Sequence, residues 1–306
     1  MHGLLVIDKP RGLSSHDVVR QVRRVLKTRK VGHGGTLDPL ATGVLPVAVG
    51  EGTRILQFLL EGDKAYRATF KLGEVTSTQD SDGELVESRP LDGVTQEAVG
   101  KACRRLVGTI SQVPPMYSAL KHNGVPLYRL ARQGVEVERK ARQVEIHQLD
   151  LVEVDLPFVT IEVTCSKGTY VRTLVHDIGA DLGCGAHLTA LRRIQSGPFS
   201  ESDSVPLGEI QDWEPGEAEG KLLDLSEALR QYPGLEVDGA AAERLRHGIP
   251  PSLEEAVGPF PGEEGNMVRL LQGGVLMAIA HFAPCRKREK RGDFELIKVL
   301  NLPPVS

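Results

Sequence analysis

The stretch VGHGGTLDPLATGVLPVAVG, residues 31 to 50, crowds one carboxylate and one imidazole into a glycine-bent loop that runs into a continuous apolar strand. Asp38 precedes Pro39, whose ring pushes the residue before it into extended backbone, so this carboxylate cannot sit inside a helix and is displayed on a loop. Gly32, Gly34 and Gly35 let a partner approach the backbone closely, and Pro39 followed by Gly43 fits a one-turn helix with a proline start and a glycine stop. Local chemistry leaves Asp38 two roles: a cap accepting bonds from the amides of that turn, or a reactive carboxylate.

Toward the N-terminus, Gly3 to Ile7 is predicted to be a strand, and Ser14-Ser15-His16-Asp17 offers a capping box that opens a helix through about Arg29. Val18, Val22, Val25 and Leu26 share one face of that helix and leave its arginines outside. Toward the C-terminus, Val44 to Val49 forms a buried strand, Thr53 to Leu60 a short helix, and Tyr66 to Leu72 a half-buried strand in which Tyr, Ala, Phe and Leu alternate with Arg, Thr and Lys. Glu74 to Pro90 is polar, turns at Asp82-Gly83 and is expected to run over the surface before a helix from about Thr95 to Leu106.

Val113 to Arg142 contains Pro114-Pro115, an Asn123-Gly124 turn and a short helix from Pro126 to Gln133; it is too small for a core of its own and rich in basic residues. Gln143 to Val154 and Phe158 to Cys165 form a strand pair turned at Asp155 to Pro157, followed by a helix from Val171 to Leu182. Ser200 to Glu219 is rich in Asp, Glu, Pro and Gly and marks a boundary segment before a short helix near Leu225 to Gln231. Tyr232-Pro233-Gly234 is the domain break, and a small β-barrel-type domain with one helix is expected beyond it.

A chain of 306 residues suggests two domains and a sizeable core. Its N-terminal apolar run is only Leu4 to Ile7, and no stretch approaches the ~20 apolar residues of a membrane helix, so the expectation is a soluble cytoplasmic protein. Cys103, Cys165, Cys184 and Cys285 are scattered without a CxxC pair, the nine histidines form no HExxH, and neither GxGxxG nor GxxxxGK[ST] occurs; metal and nucleotide cofactors are disfavoured. The net charge of −4 conceals a division: residues 1 to 200 carry 26 Lys and Arg against 22 Asp and Glu, and residues 201 to 306 carry 11 against 19. Arg11 to Lys30 holds seven basic residues and one acidic, and Lys101 to Arg142 nine and two. These runs are either solvated helix faces or phosphate contacts that would make binding salt-dependent.

GHGGTLDPLATGVLP resembles the catalytic loop of the bacterial tRNA pseudouridine synthases of the TruB family, and so, in the family's order, do IDKPRGLSSHDVV, KAYRATFKLG, VPPMYSALKHNGVPLYRLARQG and CSKGTYVRTLVHDIGADLGCGAHLTALRR. Only Gly34 and Thr36, where the family often has threonine and alanine, depart within the loop. The resemblance implies an α/β (α+β) pseudouridine synthase fold: a mixed, largely antiparallel sheet flanked by helices, in a catalytic domain of residues 1–232 with a thumb-like insertion at about 113–142. Residues 233–306 would form a PUA-like RNA-binding domain. The implied reaction isomerises uridine 55 of the tRNA T loop, with no cofactor, metal, membrane or protein partner, in a monomer.

Asp38 is then the catalytic residue, Arg172 its bidentate partner, Tyr66 the ring that stacks on the uracil and assists removal of its C5 proton, and His33 the residue inserted into the T loop. Tyr170 and Leu191 complete the pocket, Lys9 braces the active loop among the substrate-binding candidates, and Arg129 and Arg132 of the thumb meet phosphates. By pattern alone, Tyr66 and Leu191 are core residues. Arg286, Lys287, Arg288, Lys290 and Arg291 form the one conspicuous basic cluster of the acidic half, either an acceptor-stem contact or a solvated loop. The rivals are a guide-RNA-dependent synthase, whose relatives carry HSGTLDPKVTG where this chain has HGGTLDPLATG, an RNA glycosylase releasing free uracil, and a binding-only RNA chaperone that needs no Asp38.

Overall fold

Branched apolar residues dominate Gly3–Lys9, which forms strand β1, and the Ser14 capping box starts helix α1 (Ser15–Val25). The helix stops at Val25, short of the expected Arg29, because Lys27 turns left-handed (φ +48°) and the Lys27 and Thr28 amides close back onto the Arg24 and Arg23 carbonyls. The chain continues through β2 (Val31–His33), β3 (Thr42–Val49), a 3-10 turn, α2 (Leu56–Leu60), β4 (Lys64–Leu72), a hairpin of β5 (Glu74–Thr76) and β6 (Leu85–Ser88), and α3 (Gln96–Arg105). Next come β7 (Gly108–Gln112), β8 (Lys121–His122), β9 (Val125–Pro126), α4 (Leu127–Arg132), β10 (Arg142–Asp155), β11 (Phe158–Cys165), α5 (Val171–Asp181) and β12 (Ala186–Ser196). The remaining elements are β13 (Phe199–Ser200), β14 (Val205–Pro206), α6 (Pro215–Gly220), β15 (Gly234–Val237), α7 (Gly239–Arg246), β16 (Ala256–Val257), β17 (Met267–Gln272), β18 (Val275–Phe282) and β19 (Phe294–Val299). This computed structural model describes residues 1–284, 292–300 and 302; the basic cluster from Arg286 to Arg291 lies outside them.

Among the described residues the main sheet has ten strands, in the order β14-β1-β3-β12-β4-β11-β10-β7, with β13 on β12 and β2 on β3. Only β1–β14 and β3–β12 pair in parallel, so the sheet is mixed and largely antiparallel. Alternation along β1 and β3 sends Leu5, Ile7, Leu45, Val47 and Val49 to one face, where they join a single core with the apolar sides of α1, α3 and α5, and Leu4, Val6, Val44 and Ala48 to the other. That second face is covered by Phe58 and Leu59 of α2, by Phe199, and by Leu271, Leu276, Ile279 and Leu300 of the C-terminal strands. Those strands form their own sheet, β16-β15-β17-β18-β19, against which α7 packs.

The segment between β7 and β10 contributes to none of the three apolar cores. It folds locally: Asn123 (φ +50°) and Gly124 (φ +82°) supply the two left-handed residues of a tight β8–β9 turn, and α4 follows. Among the described residues, no helix is long and apolar enough to cross a membrane.

Candidate active site

Residues 34–41 link β2 to β3, and apolar pins on both sides of Asp38 hold them: Leu37, Leu40 and Ala41 are buried in the helix-side core. Ser15, in the first turn of α1, completes the anchor, its hydroxyl accepting from the Leu37 amide at 2.8 Å and donating to the Leu37 carbonyl at 3.2 Å. The expected one-turn helix does not form. Instead a single turn is closed by the Ala41 amide on the Asp38 carbonyl at 3.0 Å, and Gly43 lies inside β3 with φ +98°. Gly43 is needed there because β12 passes so close that an added Cβ would sit 2.2 Å from the Arg193 carbonyl oxygen. Gly43→Ala should therefore cost about 3 kcal/mol, from strain and overlap together, and lower the thermal midpoint by roughly 6 °C or more. An unchanged melting curve would show that the two strands separate freely.

Arg172, on α5 and 4 % accessible, meets Asp38 through Nε at 3.0 Å from Oδ2. The contact is not the bidentate fork expected, because the other nitrogens are engaged elsewhere. Nη1 donates to the Thr78 carbonyl at 2.9 Å and lies 3.2 Å from Asp80 Oδ2, and Nη2 donates to the Tyr117 carbonyl at 2.7 Å. One guanidinium thus ties together the catalytic-loop candidate, the turn after β5 and the root of the β7–β10 insertion. Asp80 is a buried second carboxylate, fixed by the Asp82 amide at 3.1 Å and by the Thr78 hydroxyl. Loss of water pushes the Asp38 carboxyl above the ordinary carboxylate range; Arg172 pulls it down, Asp80 pushes it up and Lys9 pulls it down. Even so, 38 % of the Asp38 side chain remains accessible, toward a cavity.

That cavity measures about 540 Å³, within the range of small-ligand sites, and is lined by Asp38, Arg172, Tyr66, Tyr170, Leu191 and Arg193 among others. Tyr66 projects from β4 directly opposite Arg193 of β12. Tyr170 caps the start of α5, its amide donating to Gln112 Oε1 at 2.8 Å and its carbonyl accepting from Gln112 Nε2 at 3.1 Å. Burial pushes the pKa of both phenols up, which holds them in the neutral form. Lys9 is fully buried behind the loop, its ammonium donating to the carbonyls of Pro10 and Leu13 at 2.9 and 2.6 Å, and burial brings it down to about 8.

His33 ends β2 outside the cavity lining; its Nδ1 is enclosed without a partner, and burial followed by the nearby Arg193 charge lowers its proton affinity. Arg129 and Arg132 stand exposed on α4, also outside the lining, with the Arg132 guanidinium 5.6 Å from the Tyr128 ring centre.

Residues 23–171 match the family described as TruB family pseudouridylate synthase (N terminal domain), and residues 172–232 match the tRNA pseudouridylate synthase B C-terminal domain. The tRNA pseudouridine synthase B of Syntrophotalea carbinolica is 52 % identical over 98 % of both chains, and that of Geobacter sulfurreducens 46 % identical over 98 % of this chain and all of the relative. The chain belongs to the TruB family of pseudouridylate synthases. Among solved structures, the archaeal box H/ACA sRNP Nop10-Cbf5 complex contains a chain that superposes with a TM-score of 0.73 at 26 % identity, covering 97 % of this chain and 85 % of that one. An H/ACA RNP bound to a substrate RNA containing 2'-deoxyuridine gives 0.75 at 26 % identity, covering 98 % and 85 %.

Three residues of this TruB-family site are absent from the sequence reading: Asp80, Gln112 and Arg193. Arg193 was legible, since it falls two residues after Leu191 on a strand and therefore on the same face. Asp80 and Gln112 gave no local signal, one lying in a polar turn and the other at the end of a half-exposed strand.

Proposed function

We propose that this TruB-family chain isomerises uridine 55 in the T loop of tRNA to pseudouridine. The observation that carries the reading is a single accessible carboxylate, Asp38, gripped by a buried arginine at the wall of a cavity that also holds two tyrosines. A base inside a folded T loop must be extruded to reach it, at a cost of a few kcal/mol. Stacking on Tyr66 offsets part of that cost, at ~1–3 kcal/mol per base. Asp38 drives cleavage of the glycosidic bond, as a nucleophile on the sugar or the ring or as a base at the sugar; the uracil turns within the walls formed by Tyr66, Tyr170 and Leu191, and as C5 bonds to C1′ the bond to Asp38 breaks or its proton returns to the sugar. The C5–H pair then becomes the C5=C6 bond as the proton leaves to Tyr66 and N1 takes one up. His33, kept neutral, fills the space the uridine leaves in the loop. Incubating the purified protein with an unmodified tRNA transcript and mapping pseudouridine tests the assignment; release of free uracil, or binding without modification, would overturn it.

Recognition of the T arm rests on shape and charge. Of the basic residues from 11 to 30, Arg20 is paired with Asp17 and Lys30 with Glu51, Arg23 donates to the Val31 carbonyl, and Arg11, Arg24, Lys27 and Arg29 carry no ion pair among the described residues. These, with Arg129 and Arg132 on the insertion, would meet phosphates as the insertion closes over the RNA. Residues 233–306 would add a PUA-like RNA contact, and the enzyme would work as a cytoplasmic monomer without a protein partner.

A hairpin comprising only the T stem and loop should then be modified almost as well as whole tRNA, with log K falling by roughly 0.7–0.9 per neutralised phosphate against log salt. Replacing Arg129 and Arg132 by alanine should flatten that slope, whereas Tyr66→Phe should not. An unmodified hairpin, or an unchanged slope in the double variant, would move recognition elsewhere in the chain.

A further inference from the structure

Arg193 is the largest fully buried side chain, 1 % accessible, and among the described residues no carboxylate lies within ion-pair distance of it. Its neighbours are mostly cationic or neutral: burial pushes Lys9, Lys64 and His33 toward their uncharged forms, and the Arg193 charge adds to that push at each. An enclosed guanidinium without an acidic partner is expensive to keep. Its placement shows what holds it. Nε donates to the Val44 carbonyl at 2.7 Å and Nη2 to the Gly35 carbonyl at 3.3 Å, so the side chain spans the two ends of the loop that carries Asp38. On the other side, Arg193 is the cross-strand partner of Tyr66 in the β12–β4 ladder. Residues directly opposite one another on a sheet face have Cβ atoms about 4.5–5.5 Å apart, within reach of a guanidinium and a phenol. The ladder slips between Leu188 and Ala190 and again between Arg193 and Gln195, so the segment with Leu191 and Arg193 sits between two irregularities of the kind that re-aim side chains at active sites.

We infer that Arg193 is a positioning residue for proton transfer: it holds the Tyr66 hydroxyl in register with the Asp38 loop and makes that oxygen the acceptor of the C5 proton. The inference rests on the proposed isomerisation. A buried tyrosine is a poor base, because burial disfavours the phenolate; the groups acting on Tyr66 are Arg193, which favours the phenolate through its charge and as a hydrogen-bond donor, and Cys165 and Asp38, which oppose it. Arg193 is therefore the cation that offsets the desolvation of Tyr66. In the step itself Tyr66 acts as the phenolate: the C5–H bond breaks and its electron pair forms C5=C6, the C6=N1 pair moves onto N1, the C5 proton goes to Tyr66 Oη, and N1 takes a proton from solvent, so the base stays neutral.

The test is single-turnover kinetics on tRNA whose target uridine carries deuterium at C5. Arg193→Met should lower the rate by roughly 10²-fold or more, leave KM nearly unchanged and raise the isotope effect above that of the wild type, since removing an activated base slows that one step. Where Arg193→Met fails to fold, Arg193→Lys carries the same test: an ammonium cannot bridge two carbonyls and a phenol together, so the isotope effect should again rise. In a Tyr66→Phe background, Arg193→Lys should add little further loss, because the two residues act on one step. A rate loss with no rise in isotope effect, or additive losses in the double variant, would overturn the inference. A loss confined to KM with a flattened salt slope would instead make Arg193 a phosphate ligand. Wild-type enzyme that forms no pseudouridine would overturn the isomerisation itself, and the inference with it.

Discussion

Asp38→Asn should reduce the single-turnover rate of pseudouridine formation by at least about 10⁴-fold, the scale on which removing a reacting group acts. Its effect on tRNA affinity should be small. The amide is nearly isosteric with the carboxylate, and Arg172 keeps its bonds to the Thr78 and Tyr117 carbonyls and its ion pair with Asp80, so the loop stays pinned by Leu37, Leu40 and Ser15. The lost charge is negative and faces a cavity meant for a nucleotide, so its removal takes away no phosphate contact. Filter binding beside product mapping separates the two quantities. Near-normal turnover in the variant would refute the assignment of Asp38, and a large loss of affinity would show that the carboxylate orders the RNA rather than reacting with it.

Arg172→Lys should cost roughly 10²-fold at neutral pH and more below it. One ammonium cannot meet Asp38, Asp80 and the carbonyls of Thr78 and Tyr117, which the guanidinium reaches at once. The pH dependence follows from the position of the cation. Burial already lifts the Asp38 carboxyl above its usual range and Arg172 is the foremost group lowering it, so weakening that contact raises it further. Because the ionised carboxylate is the working form, the acidic limb of the rate profile should move upward in pH, and the deficit relative to wild type should grow as pH falls and shrink as it rises. Rates measured between pH 5 and pH 8 would show this; parallel profiles for the two proteins would sever Arg172 from the ionisation of Asp38.

The parts of this molecule that were legible in its sequence are those fixed by neighbours along the chain. The Ser14 capping box, the alternation from Tyr66 to Leu72 and the Asn123-Gly124 turn each carry their own local chemistry, and each produced its element. The end of α1 did not announce itself because the left-handed stop is a lysine, Lys27, where glycine is the usual sign. Gly43 looked like a helix stop because nothing within a few residues shows that β12, some 150 positions later, passes against it. Asp80 was hidden for the same reason. Its polar turn reads as surface until the Gln79 carbonyl and Ser81 amide bond to Leu188 and Arg172 arrives from α5. The resemblance named Arg172 as the partner of Asp38, yet only the structure divides its five donors among three segments.

Leu4, near the first residue, and Leu300, near the last, are members of one apolar cluster behind β1 and β3. For a chain made from its N-terminus on the ribosome, this means that the cover over β1, begun by Phe58, Leu59, Phe199 and Leu229, is completed only by strands made some 270 residues later. Until residues 267–300 emerge, the cluster of Leu4, Val6, Val44, Phe58 and Phe199 lacks Leu271, Leu276, Ile279 and Leu300 and stays partly open to water, a long-range closure that delays folding and invites chaperone capture. A stop codon placed at the apparent boundary near Tyr232 would make that exposure permanent, so truncated enzyme should be recovered from cells as aggregate rather than as a smaller catalyst.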